Sequence, residues 1–168
     1  MSDTKSVSVS EIFSLQRPEQ KPRTKNQLWI KDVGYDEAPW YSERMGLLEL
    51  EDFLKVAGER IDYVKIATTQ VLGHPENWLK RKIALYQEHS IQPYLDHGYF
   101  LRAFRLGVVD EAIEAGAALG FSVMEFMNTF GDVPERQLRK WRSLAKDCGM
   151  SLISVSYTHL RAHETLPY

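Results

Sequence analysis

The sequence predicts an α/β protein in which strands and helices alternate along the chain. Short runs of β-branched, aromatic and aliphatic residues begin near positions 28, 61, 91, 121 and 150, about 30 residues apart. The amphipathic stretches before three of these runs end at Gly58, Gly120 and Gly149, which are typical helix ends. This regular repeat indicates parallel strands joined by helices.

Two architectures fit this repeat. A five-stranded doubly wound sheet would be complete in 168 residues, whereas a (β/α)8 barrel needs about 250 residues. Lys65 and Glu125 favour the barrel, because strands that are buried on both faces of an open sheet should be almost wholly apolar. We therefore expect a (β/α)8 TIM barrel, represented by about its first four and a half βα units, with both charges facing its mouth.

The same pattern predicts the individual elements in chain order. Strands are expected at 27–33, 61–69, 91–95, 121–126 and 150–154. Helices are expected at about 45–57, from Pro75, between a polar turn at 96–99 and Gly107, around 109–117 and from Pro134. A loop that continues to Gly73 is expected after the second strand. The basic run 80–82 is expected to be a solvated helix face.

Three regions are expected along the chain: a flexible N-terminal arm at 1–25, the partial barrel domain at 26–154 and a disordered tail at 155–168. The arm is rich in Ser, Lys, Gln and Pro, a composition that disfavours a packed core. The stretch from Ser156 to Thr165 resembles translated adapter read-through at the end of a gene, so we expect the tail to be non-native.

The charge balance and the single cysteine limit the function classes. The 21 Lys and Arg residues against 23 Asp and Glu residues give a formal net charge of −2, which carries no signal for nucleic acid or a membrane surface. Cys148 alone cannot form a disulfide or a cysteine metal site within one chain. No apolar run has the length of a membrane span, and the first ten residues lack a signal-peptide core. We expect a cytoplasmic protein with neither nucleic acid nor membrane as partner.

Lys65 and Glu125 are the candidate catalytic residues, because the active sites of barrels lie at the carboxyl ends of the strands. Lys65 could form a Schiff base or hold a phosphate or carboxylate, and Glu125 could act as a general base or bind Mg²⁺. Thr68 and Thr69, which follow the same strand as Lys65, are expected to bind substrate. The alternative is a structural ion pair of Lys65 with Glu125 or Asp62.

Polar residues after other strands are further candidates. Asp32 could bind a metal, or could be a turn or cap residue at the end of the first strand. Asp96 and His97 could bind substrate or metal, or could belong to a solvated turn in which Gly98 needs a positive φ. Asn128 could bind an oxygen of the ligand, or could be an ordinary loop residue.

Several short stretches, taken in order, resemble the phosphosulfolactate synthase family. They are Arg17-Pro18 with Lys21-Pro22-Arg23, Asp32-x-Gly34, Ile61-Asp62-Tyr63-Val64-Lys65, and Leu119-Gly120-Phe121 leading to Glu125. The resemblance covers about residues 13–153. It implies a (β/α)8 barrel that adds sulfite to phosphoenolpyruvate with the help of Mg²⁺, an early step towards coenzyme M. It also implies that Lys65 holds a small anionic substrate and that Asp32 and Glu125 bind the Mg²⁺.

The sequence departs from the family pattern at several strand ends. Val33 replaces a lysine, Leu95–Gly98 replaces a Pro-Gly-Gly-Thr stretch, and Leu101 stands where the family has a glutamate. Another small phosphorylated or carboxylic acid is therefore an alternative substrate, and a non-catalytic structural or stress-related relative is a second alternative. A half barrel would leave open sheet edges that favour homo-oligomers, and we expect no synthase activity from the chain as given.

Overall fold

The computed structural model describes residues 19–32, 45–127 and 133–154. The strands are β1 Trp29–Asp32, β2 Tyr63–Ile66, β3 Gln92–Leu95, β4 Val123–Phe126 and β5 Ser151–Ser154. The helices are α1 Leu47–Ala57, α2 Thr68–Gly73, α3 Glu76–Glu88, α4 His97–Leu106, α5 Val109–Leu119 and α6 Glu135–Asp147, with a 3₁₀ turn at Gly58–Arg60. Within these ranges, no helix is long and apolar enough to cross a membrane. Most of the expected arm, Asn128 and the expected tail lie outside the described residues.

The five strands form one parallel sheet in the order β1-β2-β3-β4-β5. All five lie within the runs that predicted them. In a doubly wound sheet the strand order reverses at a switch point, whereas a barrel wall places each strand next to the one before it. The sequential order therefore confirms the α/β class and agrees with the barrel rather than with the doubly wound alternative.

The register assigns the side chains of the sheet to two faces. Lys31, Lys65 and Tyr94 are successive partners across β1, β2 and β3, so their side chains share one face, which we call the inner face. Asp32 is the partner of the buried Ile66 and therefore lies on the opposite, helix-covered face. The two neighbours Lys31 and Asp32 thus point to different sides of the sheet.

The main core lies between the helix-covered face and the helices. It is built from aliphatic and aromatic side chains, among them Leu50, Val64, Ile83, Leu95, Phe100, Ile113, Met124 and Trp141. Gly120 ends α5 with a φ of 102°, and a Cβ at this position would lie 3.1 Å from Ile83 Cγ2. A glycine here suits both the left-handed backbone and the close packing of α5 on α3.

The segment after β2 is helical, and the predicted loop there was wrong. Residues 68–73 form α2, and the N–H of Gln70 donates to the carbonyl of Ala67 at the start of the helix. The side chain of Gln70 is buried and donates to both the carboxylate and the backbone carbonyl of Asp32. Because a helix this short is marginal in isolation, tertiary contacts of this kind stabilise it.

The basic run 80–82 is solvated only in part. Lys80 and Arg81 are exposed, but Lys82 is buried, contrary to the prediction. Lys82 lies four residues after Trp78 and four before Tyr86, so it falls on the stripe of α3 that faces the sheet. Its ammonium is bound there rather than hydrated.

The end of the expected flexible arm is docked at the amino end of β2. Arg23 is buried, and its guanidinium donates to both carboxylate oxygens of Asp62 at 3.0 and 2.9 Å. Burial alone would raise the pKa of Asp62, but the hydrogen bonds from Arg23 and from the N–H of Leu28 outweigh it and lower that pKa. The ammonium of Lys21 donates to the carbonyls of Gly58 and His89. Composition does not reveal such contacts, because they join residues far apart in sequence.

Candidate active site

An ion pair joins β2 to β4 on the inner face. The ammonium of Lys65 lies 2.7 Å from Glu125 Oε1, and the two side chains are 20% and 6% exposed. Since β3 lies between β2 and β4, the pair passes over Tyr94, whose ring centroid is 5.6 Å from Lys65 Nζ. The ion pair that stood as the structural alternative is therefore present, and Lys65 keeps part of its side chain in contact with solvent.

His97 adds an imidazole to this pair from the first turn of α4. Its backbone N–H donates to Glu125 Oε2 at 3.1 Å, and its Nδ1 lies 3.5 Å from the same oxygen. That ring nitrogen is buried and has no hydrogen-bond partner among the residues that the structure describes. A buried imidazole nitrogen beside a carboxylate can transfer a proton or bind a ligand atom.

Thr68, Asp96 and Gly98 form a rim contact next to His97. The hydroxyl of Thr68 donates to Asp96 Oδ1, and the same oxygen accepts the N–H of Gly98 at 2.8 Å as the N-cap of α4. The polar turn predicted at 96–99 is thus the beginning of a helix. Gly98 has no positive φ; instead, a Cβ there would lie only 2.8 Å from Thr68 Oγ1, so close approach explains the glycine.

Aromatic rings cover the inner face on the amino-end side of Lys65. Trp29 stacks on Tyr63 with 3.8 Å between ring centroids and meets the edge of Tyr94 at 5.3 Å. Burial, together with the charges of Glu125 and Asp96, raises the pKa of Tyr94 above its ordinary value, so its hydroxyl stays protonated at neutral pH. Tyr94 is buried beside the charged pair, whereas Trp29 is 42% exposed, so the rings shield the pair from water only in part.

Asp32 does not lie with Lys65, Glu125 and His97. Its Oδ2 accepts from Lys82 Nζ at 2.6 Å and from the Tyr86 hydroxyl at 2.7 Å, and its Oδ1 accepts from Gln70 Nε2 at 2.8 Å. Asp32 and Glu125 point to opposite sides of the sheet, so they cannot share one ion. In the described part of the chain, no group of three His, Cys, Asp or Glu side chains is placed to hold a metal. The residues present do not fit the predicted Mg²⁺ site.

Lys82 is the charged residue that the sequence pattern did not single out. All three of its N–H donors are used, by Asp32, by Gln70 Oε1 at 2.8 Å and by the carbonyl of Met45 at 2.9 Å. Burial lowers the pKa of Lys82, although the charge of Asp32 acts in the opposite direction. The cluster joins β1, α2 and α3, and it therefore supports the helix that begins at Thr68.

A cleft of about 680 Å³ opens between α2 and α4 beside the rim contact. Its lining residues are Thr68, Thr69, Leu72, Gly73, Gly98, Leu101, Arg102, Arg105 and Leu106. The hydroxyl oxygen of Thr69 is buried and has no hydrogen-bond partner within the described ranges. Because the cleft shares Thr68 and Gly98 with the rim contact, it adjoins the site formed by Lys65, Glu125 and His97.

The predicted site residues fall into four groups. Those that lie together at the carboxyl ends of β2, β3 and β4 are Lys65, Thr68, Asp96, His97 and Glu125. Thr69 lines the adjoining cleft, Asp32 lies on the opposite face of the sheet, and Asn128 lies outside the described residues. The missed residues Arg102 and Arg105 carry no motif, and only the placement of α4 beside α2 identifies them.

A known protein family matches the sequence that forms this sheet, including the stretches around Arg23, Lys65 and Glu125. The family model described as (2R)-phospho-3-sulfolactate synthase (ComA) matches residues 16–164. The chain belongs to this family. Membership confirms the resemblance seen in the sequence and, with the strand order, the assignment to the (β/α)8 TIM barrel class.

Two phosphosulfolactate synthases are similar to parts of the chain. The protein from Methanocaldococcus jannaschii is 29% identical over 105 residues, which cover 62% of this chain and 42% of that protein. The protein from Methanothermobacter thermautotrophicus is 22% identical over 134 residues, which cover 80% of this chain and 48% of that protein. The chain therefore spans less than half the length of these two relatives.

The family-like stretch Ile61–Lys65 makes two separate contacts in this ComA family member, one at each end of β2. At the amino end of β2, Asp62 binds Arg23 and holds the preceding segment of chain. At the other end of the same strand, Lys65 binds Glu125 at the mouth. One short stretch thus contributes to the fold at one edge of the sheet and to the candidate site at the other.

Proposed function

We propose that this chain carries part of a phosphosulfolactate-synthase-like active site that binds phosphoenolpyruvate and directs sulfite to it. The observation that supports this most strongly is the ion pair of Lys65 and Glu125 beside the unpartnered ring nitrogen of His97, in a member of the ComA family. Both similar relatives are phosphosulfolactate synthases. Phosphosulfolactate is the product of sulfite addition to phosphoenolpyruvate.

The reaction forms one C–S bond and one C–H bond. The lone pair of the sulfite sulfur attacks the terminal methylene carbon, and the π electrons of the double bond move towards the carboxylate as an enolate-like carbanion. A proton then adds to the carbon that carries the phosphate. The ammonium of Lys65 is suited to bind the carboxylate and to stabilise the negative charge that develops there.

Glu125 and His97 have supporting roles in this proposal. Glu125 holds the ammonium of Lys65 through Oε1 and fixes the start of α4 through Oε2. The unpartnered Nδ1 of His97 faces the same carboxylate, so the imidazole is placed to hold the proton that the carbanion receives. These roles use only groups that lie together at the mouth.

The family resemblance also implies Mg²⁺, and that requirement stays a prediction. Of the two predicted ligands, Asp32 lies in the buried cluster and Glu125 is bound to Lys65 and His97. We therefore assign no step to the ion.

Two alternatives remain testable beside this proposal. Another small phosphorylated or carboxylic acid would use the same cation and imidazole chemistry. A non-catalytic role is favoured by one observation, the 2.7 Å contact by which Glu125 already neutralises Lys65. The choice between these roles depends on whether Lys65 binds a ligand or only Glu125.

Thermal unfolding with and without phosphoenolpyruvate tests the proposal. The wild-type chain should be stabilised by phosphoenolpyruvate, and Lys65→Met should lose this stabilisation. Lys55→Met removes an exposed lysine of α1 and should keep it. If Lys65→Met lowers stability by several kcal/mol while ligand protection is unchanged, the pair is structural and the proposal fails.

Two further readouts separate the alternatives. Stronger stabilisation by a different small acid would identify that acid as the substrate class. The absence of synthase activity in the chain as given stays a prediction, and sulfite-dependent consumption of phosphoenolpyruvate by the 168-residue chain would contradict it.

A further inference from the structure

The cleft between α2 and α4 contains two cationic side chains close to the mouth. Arg102 and Arg105 lie three residues apart on α4, both line the cleft, and both are exposed. Residues at this spacing lie on the same side of a helix. Across the described ranges, neither guanidinium is bound to a carboxylate. Both are therefore available to an anion in the cleft.

The mouth alone is poorly matched to a ligand with two anionic groups. Lys65 is paired with Glu125, Lys31 lies beside Lys65 on the inner face, and Asp96 adds a second carboxylate, so the two cations only balance the two carboxylates. The first amides of α4 are also occupied, because the N–H of His97 donates to Glu125 and the N–H of Gly98 donates to Asp96. A phosphorylated carboxylic acid therefore needs positive charge from outside this centre, since like charges placed together are costly.

We propose that the cleft is the phosphate subsite of the candidate active site, with Arg102 and Arg105 as the residues that bind the phosphate oxygens. This assignment rests on the proposed function and specifies where the phosphate of the substrate lies. A guanidinium suits this task because its planar N–H groups can make two parallel hydrogen bonds to phosphate oxygens.

The cleft and the candidate site meet at the rim contact. Along the helix axis, Arg102 lies about 7.5 Å from His97 and Arg105 lies about 12 Å from it. Thr68 and Gly98 line the cleft and also form the rim next to His97. A phosphate held by Arg102 would therefore lie on the cleft side of the rim, and the rest of a small acid would have to extend past Thr68 to reach the mouth.

One threonine hydroxyl and three leucine side chains belong to the remaining lining. The Thr69 hydroxyl has no acceptor among the described residues, and a phosphate oxygen in the cleft would supply one once the side chain turns towards it. The apolar lining residues are Leu72, Leu101 and Leu106.

The test compares Arg102→Gln/Arg105→Gln with the control Arg136→Gln/Arg142→Gln, which removes two exposed arginines from α6. Dissociation constants are measured at constant ionic strength for inorganic phosphate, phosphoenolpyruvate and pyruvate. The cleft variant should bind phosphate and phosphoenolpyruvate about 10- to 100-fold more weakly, the range for lost charge-assisted hydrogen bonds. Pyruvate lacks the phosphate, so its affinity should not change. The control should bind all three as the wild type does.

The outcomes separate the subsite from the proposed function. Unchanged phosphate affinity in the cleft variant, or no phosphate binding to the wild type, overturns the subsite even if phosphoenolpyruvate binds through Lys65. An equal loss in the α6 control also overturns it, because the effect would then reflect overall charge. If the cleft variant loses phosphate while Lys65→Met binds phosphoenolpyruvate normally, the subsite stands and the proposed centre fails.

Discussion

Lys82 Nζ lies 2.6 Å from Asp32 Oδ2, and both side chains are 1% exposed, so a fully buried ion pair ties α3 to the end of β1. Gln70 and Tyr86 complete the hydrogen bonding of Asp32. Desolvation of two charges is costly, and a buried pair is tolerated only while both partners are present and hydrogen-bonded. The pair also explains why Asp32 is not available at the mouth, where the family resemblance implied a metal ligand.

Removing the ammonium should destabilise the fold strongly. Lys82→Met leaves the carboxylate of Asp32 buried without its cation, so we expect the free energy of unfolding to fall by about 3–5 kcal/mol. Lys80→Met, an exposed neighbour on the same helix, should change it by less than about 0.5 kcal/mol. Urea unfolding followed by circular dichroism measures both values.

The double variant Asp32→Leu/Lys82→Met shows whether the unpaired charge is the cause. Without a buried carboxylate, the double variant should be more stable than Lys82→Met alone. A loss at least as large as in the single variant would contradict this explanation and point to packing instead.

The pair of Arg23 and Asp62 should make stability depend on pH in acid. The pKa of Asp62 is lower in the folded chain than its ordinary value of 3.8, so its contribution is present above about pH 3.8 and is lost as the pH falls through the lower, folded value. Asp62→Asn leaves Arg23 buried without its partner and should cost about 3–5 kcal/mol at pH 7. Unfolding free energies between pH 7 and pH 2.5 should show this difference shrink in acid. A difference that stays constant would contradict the assignment.

Gly98→Ala should disturb the rim of the candidate site. The new methyl group would lie 2.8 Å from Thr68 Oγ1 and 3.0 Å from Asp96 Oδ1. We expect a loss of about 1–3 kcal/mol from overpacking, although alanine is otherwise the better helix former by up to about 1 kcal/mol. A fall in melting temperature would show that overpacking outweighs the gain in helix propensity, whereas a rise would contradict this prediction. Thr68→Ala/Gly98→Ala, which removes the crowded hydroxyl, should recover part of the loss.

The alternation of strands and helices was predictable because it depends on local hydrophobic patterns. The same patterns placed Lys65 and Glu125 near the ends of their strands, and the parallel register brings them together. The sheet face of Asp32 could also have been predicted, because successive side chains of a strand point to opposite faces and Asp32 follows Lys31 in β1. The family resemblance implied that Asp32 binds a metal. It did not show to which face of the sheet the Asp32 carboxylate points.

The rest depends on contacts that no local pattern contains. Lys82 occupies a position on the buried stripe of α3, but lysine is so rarely buried that only its partner Asp32, 50 residues earlier, accounts for it. The docking of Arg23 likewise needs Asp62, and the cleft of Arg102 needs the packing of α4 beside α2. These features come from long-range packing, which sequence periodicity does not describe.

The most direct test of the central claim, that the mouth at Lys65 binds substrate, is titration calorimetry of phosphoenolpyruvate with the double variant Lys65→Met/Glu125→Met. Removing both charges leaves no buried charge unpaired, so the double variant should stay folded and lose only about 1–3 kcal/mol from the missing acceptor of the His97 N–H. The account predicts that phosphoenolpyruvate then binds at least about tenfold more weakly than to the wild type. A stable double variant that binds phosphoenolpyruvate as tightly as the wild type would contradict it.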